Sequence, residues 1–307
     1  MSRRLGALAV AVVVLAAVLA SIAPTSAPAA VDSHAAATSG PPPSARRTAA
    51  VRASGSAPGW KPKPGLRWQY QLQGKVNTAV CAPPVQSGAC VRPDVWVIDL
   101  YTDDGTTTNA AVVKEIHARK KHAVCYVDAG TWENWRPDAA RFPAKLRGKG
   151  NGWPGERWLD IRAITVLKPL IAARVDKCVK AGFDAVDFDN VEGYANDTGF
   201  PLTGAHQLAF NRMLAKMVHG RGLAVGLKND LGQAAKLRGD FDFAVNEQCF
   251  AFHECARYDG WTKSGRPVVE IEYEGNTAHL CAAANAKHRD AMRKALALKA
   301  TPWTPCR

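Results

Sequence analysis

From Trp68 onward the chain alternates short apolar runs with longer stretches of helical spacing, and this alternation limits the folds open to it. The apolar runs are Trp68–Gln73, Asp94–Leu100 (DVWVIDL), Ala123–Asp128 (AVCYVD), Phe183–Asp189 (FDAVDFD), Leu223–Lys228, Phe241–Glu247 and Pro267–Glu272. Ala295–Lys299 is a weaker eighth. Between them, Ala110–Lys120, Leu167–Ala181, Gly204–Arg221 and Leu231–Arg238 repeat apolar residues at three and four, as a helix does. Such alternation predicts a parallel sheet with helical crossovers, and seven or eight units close a single (β/α)8 TIM barrel of the α/β class. The alternative, a doubly wound sheet, would carry a glycine fingerprint after its first strand. None is present.

The rest of the 307 residues sorts around that domain. Residues 1–30 read as a signal peptide: Arg3 and Arg4, an apolar run from Leu5 to Ile22, then small residues at Ala27, Ala29 and Ala30. A membrane anchor is the alternative, which the small-residue cleavage pattern disfavours. Residues 31–62 are rich in Ala, Ser and Pro and read as a disordered linker, leaving 63–307 for the barrel. All eight cysteines fall in the barrel, and an even count behind an export signal predicts disulfides and a secreted, extracellular protein. Close spacing pairs Cys81 with Cys90 and Cys249 with Cys255. Cys125–Cys178 with Cys281–Cys306 is one of the pairings left for the other four. No zinc-like CxxC spacing occurs, and no metal site or cofactor is implied. The net charge is +13. A basic surface suits contact with an anionic cell wall, but no nucleic-acid motif accompanies it, so no nucleic-acid partner is expected. The protein is expected to act as a monomer.

In a parallel barrel the chemistry sits at the carboxyl ends of the strands. Here those ends carry Asp99; Tyr126 and Asp128; Asp187, Asp189, Asn190 and Glu192; Lys228 and Asn229; Asn246 and Glu247; and Glu270 and Glu272. A single carboxylate is ordinarily a helix cap or a surface ion pair; the same end of five strands is not so explained. Period-two alternation puts Asp187 and Asp189 on one face, so that if one points into the barrel mouth both do, and sets Glu247 at a strand tip one strand removed, roughly 10 Å away across the sheet. Carboxyls leaning inward from there come within about 5–10 Å, the range glycosidases use. Glycoside hydrolysis needs one group to protonate the leaving oxygen and one negative group beside the oxocarbenium-like centre. Lys228 would hold a neighbouring acid ionised or bind hydroxyls.

The segments DVWVIDLYTD, CYVDAGTWENWRPD, GFDAVDFDNVEGY, VGLKND and FAVNEQCF together resemble glycoside hydrolase family 114, the endo-α-1,4-polygalactosaminidases, over about Trp68–Tyr273. DFDNVE and NEQC are the specific part. The resemblance implies a TIM barrel, endo-acting cleavage of α-1,4-linked galactosamine polymers, and Asp189 and Glu247 as the catalytic pair. Analogy with related α-glycosidase barrels makes Asp189 the nucleophile and Glu247 the acid/base, with retention.

A basic protein whose expected cleft gathers acids suits a cationic amino-sugar polymer. Asp99, Asp128, Asp187, Glu192, Glu270 and Glu272 exceed what two-carboxylate chemistry needs, and such acids pair well with a sugar ammonium. Asn190 and Asn229 complete the polar set. Tyr70, Tyr126, Trp132, Trp135, Tyr194 and Tyr273 are candidate stacking surfaces. Two other classes compete: a non-catalytic polysaccharide-binding barrel, which could dispense with a catalytic acid, and a metal-dependent polysaccharide deacetylase. The second is disfavoured because the histidines fall on helices or strand starts, with only His253 near the expected site. A hard cation held by carboxylates alone is compatible with the sequence.

Overall fold

The structure, a computed structural model, describes residues 59–85 and 88–307. The expected signal segment and the linker up to residue 58 lie outside the described residues. The strands are β1 (Trp68–Gln71), β2 (Val95–Asp99), β3 (His122–Asp128), β4 (Thr131–Glu133), β5 (Glu156–Trp158), β6 (Ala185–Asp189), β7 (Ala224–Lys228), β8 (Phe243–Glu247), β9 (Val268–Glu272), β10 (Asp290–Lys294) and β11 (Trp303–Pro305). The α-helices are α1 (Ala110–Ala118), α2 (Ile164–Ala181), α3 (Gly204–His219), α4 (Ala234–Leu237), α5 (Asp259–Lys263) and α6 (Thr277–Ala286).

Eight parallel strands run in the order β1-β2-β3-β6-β7-β8-β9-β10, with β11 antiparallel beside β10. β4 and β5 form a separate antiparallel hairpin in the insertion after β3. The eight-stranded barrel read from the sequence is therefore present, with one correction. The last barrel strand is Asp290–Lys294, and 295–299 is a turn beyond it. Hydrophobicity misplaces this strand because it buries charge. Asp290 and Lys294 are 3% and 2% exposed, yet the chain supplies partners for both. Asp290 accepts from the Gly65 N–H, and the Lys294 ammonium donates to Gln69 Oε1. These bonds, with the Trp303 indole N–H to the Trp68 carbonyl and the Leu72 N–H to the Leu298 carbonyl, draw β1 toward the last strands.

The strand interiors behave as period-two alternation requires. Val186 and Phe188 are fully buried on one face of β6, worth about 1.5–3 kcal/mol each. Asp187 and Asp189 take the other face, inside the barrel. Across the interior the Trp68 and Phe243 rings lie 5.3 Å apart. Gly226 on β7 makes this layer possible: a Cβ there would stand 2.5 Å from the Phe243 ring and 3.0 Å from Asp187 Oδ1. Packing begins upstream of β1, where Pro62 is buried and the Trp60 ring stacks on His122 at 4.3 Å.

Four disulfides join Cys81–Cys90, Cys125–Cys178, Cys249–Cys255 and Cys281–Cys306. The second ties β3 to α2, and the third closes the loop that leaves β8. Among the described residues no helix is long and apolar enough to cross a membrane.

Substituting Gly226→Val should overfill the barrel and lower unfolding free energy by about 1–3 kcal/mol or more in a denaturant titration. An unchanged midpoint would show that Phe243 and Asp187 do not need that space.

Candidate active site

Three neighbouring strands, β6, β7 and β8, end in Asp189, Lys228 and Glu247. The Lys228 ammonium lies 3.1 Å from Asp189 Oδ1 and 2.9 Å from Glu247 Oε2. Two oxygens touching one nitrogen are separated by no more than those distances together, about 6 Å. The Lys228 side chain is 1% exposed, whereas those of Asp189 and Glu247 are 18% and 23% exposed. The cation is thus sealed beneath two acids that reach solvent.

Each tip residue is followed by one with left-handed backbone: Asn190 at φ 57°, Asn229 at 49° and Gln248 at 66°. Non-glycine residues rarely hold this conformation, and Asn tolerates it best. The reversal turns the chain away at once and leaves each tip side chain facing the mouth. Neighbours fix the tips further. Asn229 Oδ1 accepts from the Glu247 N–H at 3.0 Å, and the Tyr258 hydroxyl donates to the Asn229 carbonyl. The Glu272 carboxylate accepts from the N–H groups of Phe250 and Ala251, holding the loop after β8. Ala129 and Gly130 donate their N–H groups to the Asp189 carbonyl. Gly130 has to be glycine, because a Cβ would overlap the Asn190 carbonyl.

Burial alone would raise Asp189. Lys228, the Tyr126 hydroxyl at 2.7 Å and the Asn190 N–H at 2.9 Å outweigh it and hold the carboxyl below the ordinary aspartate value. Glu247 Oε1 accepts from the Tyr273 hydroxyl. Burial opposes charge on Lys228 as well, but Asp189 and Glu247 raise it well above an ordinary lysine. Asp187 lies directly below, bonded by the Tyr70 hydroxyl at 2.8 Å; burial pushes it to about 7. Burial and then the Asp189 charge push Glu192 to about 8.

Asp189, Lys228 and Glu247 line a cavity of about 650 Å³, an ordinary size for a small-ligand site. Of the residues expected from the sequence, Tyr126, Asn190, Glu192, Asn229 and Tyr273 line it too. Asp187 and Tyr70 lie beneath it, both unexposed. Asp128 is buried, accepting from the Thr131 N–H and the Asn190 amide. Asp99 is bound on both oxygens by Arg136, each at 2.7 Å, beside a different depression. Glu270 pairs with Arg289, and Glu272 is the loop cap already described. The Trp132 indole donates to the Ala139 carbonyl and is covered by the Arg147 guanidinium at 4.2 Å. Several of the surplus acids thus serve the scaffold.

The sequence reading missed Trp153, Glu156 and the 296–299 turn, which line the cavity. No histidine lines it among the described residues, His253 included. The carboxylates of Asp128, Glu133 and Glu156 approach one another within 4.8 Å. Donors from Thr131, Asn190, Arg136 and Asn151 already occupy these groups. In the other carboxylate–sulfur cluster, Cys249 and Cys255 are joined in a disulfide and offer no thiolate.

A barrel with two acids converging at its carboxyl mouth is the architecture of a glycoside hydrolase, and the comparisons agree. The family model for glycoside-hydrolase family GH114 matches residues 49–305, and the chain belongs to that family. It is similar to the solved structure of Aspergillus fumigatus Ega3 in complex with galactosamine, with 29% identity and a TM-score of 0.69. The match covers 80% of this chain and 98% of that one. The glycoside hydrolase domain of PelA from Pseudomonas aeruginosa shares the fold: 13% identity, TM-score 0.56, 76% of this chain and 96% of that one. An uncharacterised protein of Deinococcus radiodurans is 28% identical over 254 residues, 72% of this chain and 78% of its own length.

Burial pushes Asp187, Asp230, Glu270 and Asp290 each to about 7. A carboxyl raised by folding contributes fully below its unfolded value near 4, and the contribution is lost as pH rises through about 7. Asp189 has the opposite sign, but its contribution fades only at more acid pH. The melting temperature should therefore be higher near pH 5 than near pH 7.5; a rise toward neutrality would contradict these assignments.

Proposed function

We propose that this glycoside hydrolase is a secreted, endo-acting enzyme that cleaves α-1,4-linked galactosamine-containing polysaccharide with retention. The observation that carries the mechanism is the shared contact of Asp189 and Glu247 with one buried ammonium. It brings Asp189 Oδ1 and Glu247 Oε2 to no more than about 6 Å apart, a limit that accommodates the roughly 5–5.5 Å carboxyl separation of retaining enzymes. Asp189, held ionised, attacks the anomeric carbon while Glu247 gives its proton to the departing glycosidic oxygen. Glu247 then takes a proton from water, which attacks the same carbon and releases Asp189. The hydroxyls of Tyr126 and Tyr273 hold the two carboxylates in position throughout.

Likeness to Ega3, whose structure was solved with galactosamine, supports an amino-sugar substrate. So does a cavity whose lining carries Asp189, Glu192, Glu247 and Glu156 against two lysines, Lys228 and Lys299, in a chain of net charge +13. Four disulfides and the apolar run from Leu5 to Ile22 support export.

Asp189→Asn and Glu247→Gln should each lower turnover of a galactosamine polymer by at least about 100-fold while both proteins remain folded. Full activity in either variant would remove that residue from the mechanism. Proton NMR of the first product should show a new reducing end of α configuration; an initial β anomer would mean inversion.

A further inference from the structure

We infer that Trp153, on the loop joining β4 to β5, and Glu156, the first residue of β5, form an auxiliary subsite at the rim of the catalytic cavity. The indole packs against the apolar face of a hexosamine ring, and the carboxylate takes the ring's ammonium group. The inference rests on the amino-sugar reading above and assigns part of it to named residues outside the catalytic triplet.

The loop is built to hold these two side chains in place. Its last part and the start of β5 read Asn151-Gly152-Trp153-Pro154-Gly155-Glu156, with Gly152 at φ 103° and Gly155 at 88°, a backbone region that side chains rarely adopt. The Asn151 side chain accepts from the Trp153 N–H at 3.1 Å and donates to Glu156 Oε2 at 2.6 Å. The Glu156 N–H reaches the Trp153 carbonyl, and the Gly155 carbonyl accepts from Asn134. The backbone is thus tied down while the indole is left 56% exposed. Trp68, Trp96, Trp158, Trp261 and Trp303 are all buried, whereas Trp153 and, at 47%, Trp135 stand out to solvent, and of these two only Trp153 lines the cavity. A large ring carried on a tied-down backbone at the edge of a carboxylate-lined cavity offers a flat apolar surface, which suits a sugar face.

Glu156 supplies the charge. It lines the same cavity as Asp189 and Glu247. Its hydrogen-bond donors are neutral, the Asn151 amide and, at 3.3 Å, the Thr131 hydroxyl. Among the described residues no lysine or arginine forms an ion pair with it, whereas Glu133 nearby has Arg136 and Arg174. Burial, then the charges of Glu133 and Asp189, raise its carboxyl above the ordinary glutamate value. A cation arriving there relieves that crowding and makes a charge-assisted hydrogen bond. A neutral hydroxyl or an acetamido group cannot supply the charge.

The test uses the full chain with matched galactosamine oligosaccharides, free-amine and N-acetylated. Glu156→Gln should lower the ratio of kcat/KM for free-amine over acetylated oligomers about tenfold, the loss of one well-formed ion pair. Trp153→Ala should raise KM for both forms. In Glu247→Gln, used as an inactive binding host, saturation with oligomer should change the tryptophan fluorescence, and adding Trp153→Ala should abolish that change. If the wild-type enzyme turns over the free-amine oligomers and Glu156→Gln keeps their preference, the subsite assignment falls and the substrate reading stands. A Trp153→Ala variant with wild-type KM and fluorescence response also overturns it. Should the wild-type enzyme neither cleave nor bind free-amine oligomers, both readings fall together.

Discussion

A single buried ammonium organises this active site. Lys228 is almost wholly withdrawn from solvent, yet it touches both acids at the barrel mouth. Taking such a charge out of water costs several kcal/mol, which only close, well-bonded partners offset. The site depends on that balance. Without the cation, Asp189, Glu247, Asp187 and Glu192 would crowd one another as like charges. Lys228 holds Asp189 below its ordinary value, whereas at Asp187 and Glu192 burial outweighs the same cation and raises the carboxyls to about 7 and 8. Burial and one fixed cation together therefore set Asp189 apart from Asp187 and Glu192 in protonation at one pH, the kind of division that acid/base chemistry uses.

The scaffold serves that arrangement. Tyr70 holds Asp187 from below, and Gly226 leaves room for it. Three successive strand tips end in left-handed residues that end pairing where the functional side chain emerges. Backbone strain of this kind persists only where surrounding contacts over-determine it. Those contacts are present: Asn229 to the Glu247 N–H, Glu272 to the loop beyond β8, and the Cys249–Cys255 bridge across that loop.

What the sequence made legible follows from where regular patterns hold. Strand alternation placed Asp187 and Asp189 on one shared face and set Glu247 one strand away, because period two is a property of the pleat itself. The pattern failed at the seam, where β10 buries Asp290 and Lys294, charges whose partners come from Gly65 and Gln69 at the other end of the domain. Several acids at the strand ends have protein partners away from the cavity. Asp99 is clasped by Arg136, and Glu272 caps a loop. A carboxylate at a strand end looks the same in sequence whether it faces a cleft or a neighbouring arginine. Trp153 and Glu156 escaped notice because the insertion carrying them has neither helical nor strand periodicity. The usable signal was local: two glycines flanking an aromatic, followed by an acid.

The most direct test is the pH dependence of kcat for Lys228→Met beside the unaltered enzyme. If the ammonium keeps Asp189 ionised, its removal should move the acid limb to higher pH by about one unit or more, with a lower plateau. An acid limb that stays in place while the plateau is preserved would show that Lys228 does not govern the pair.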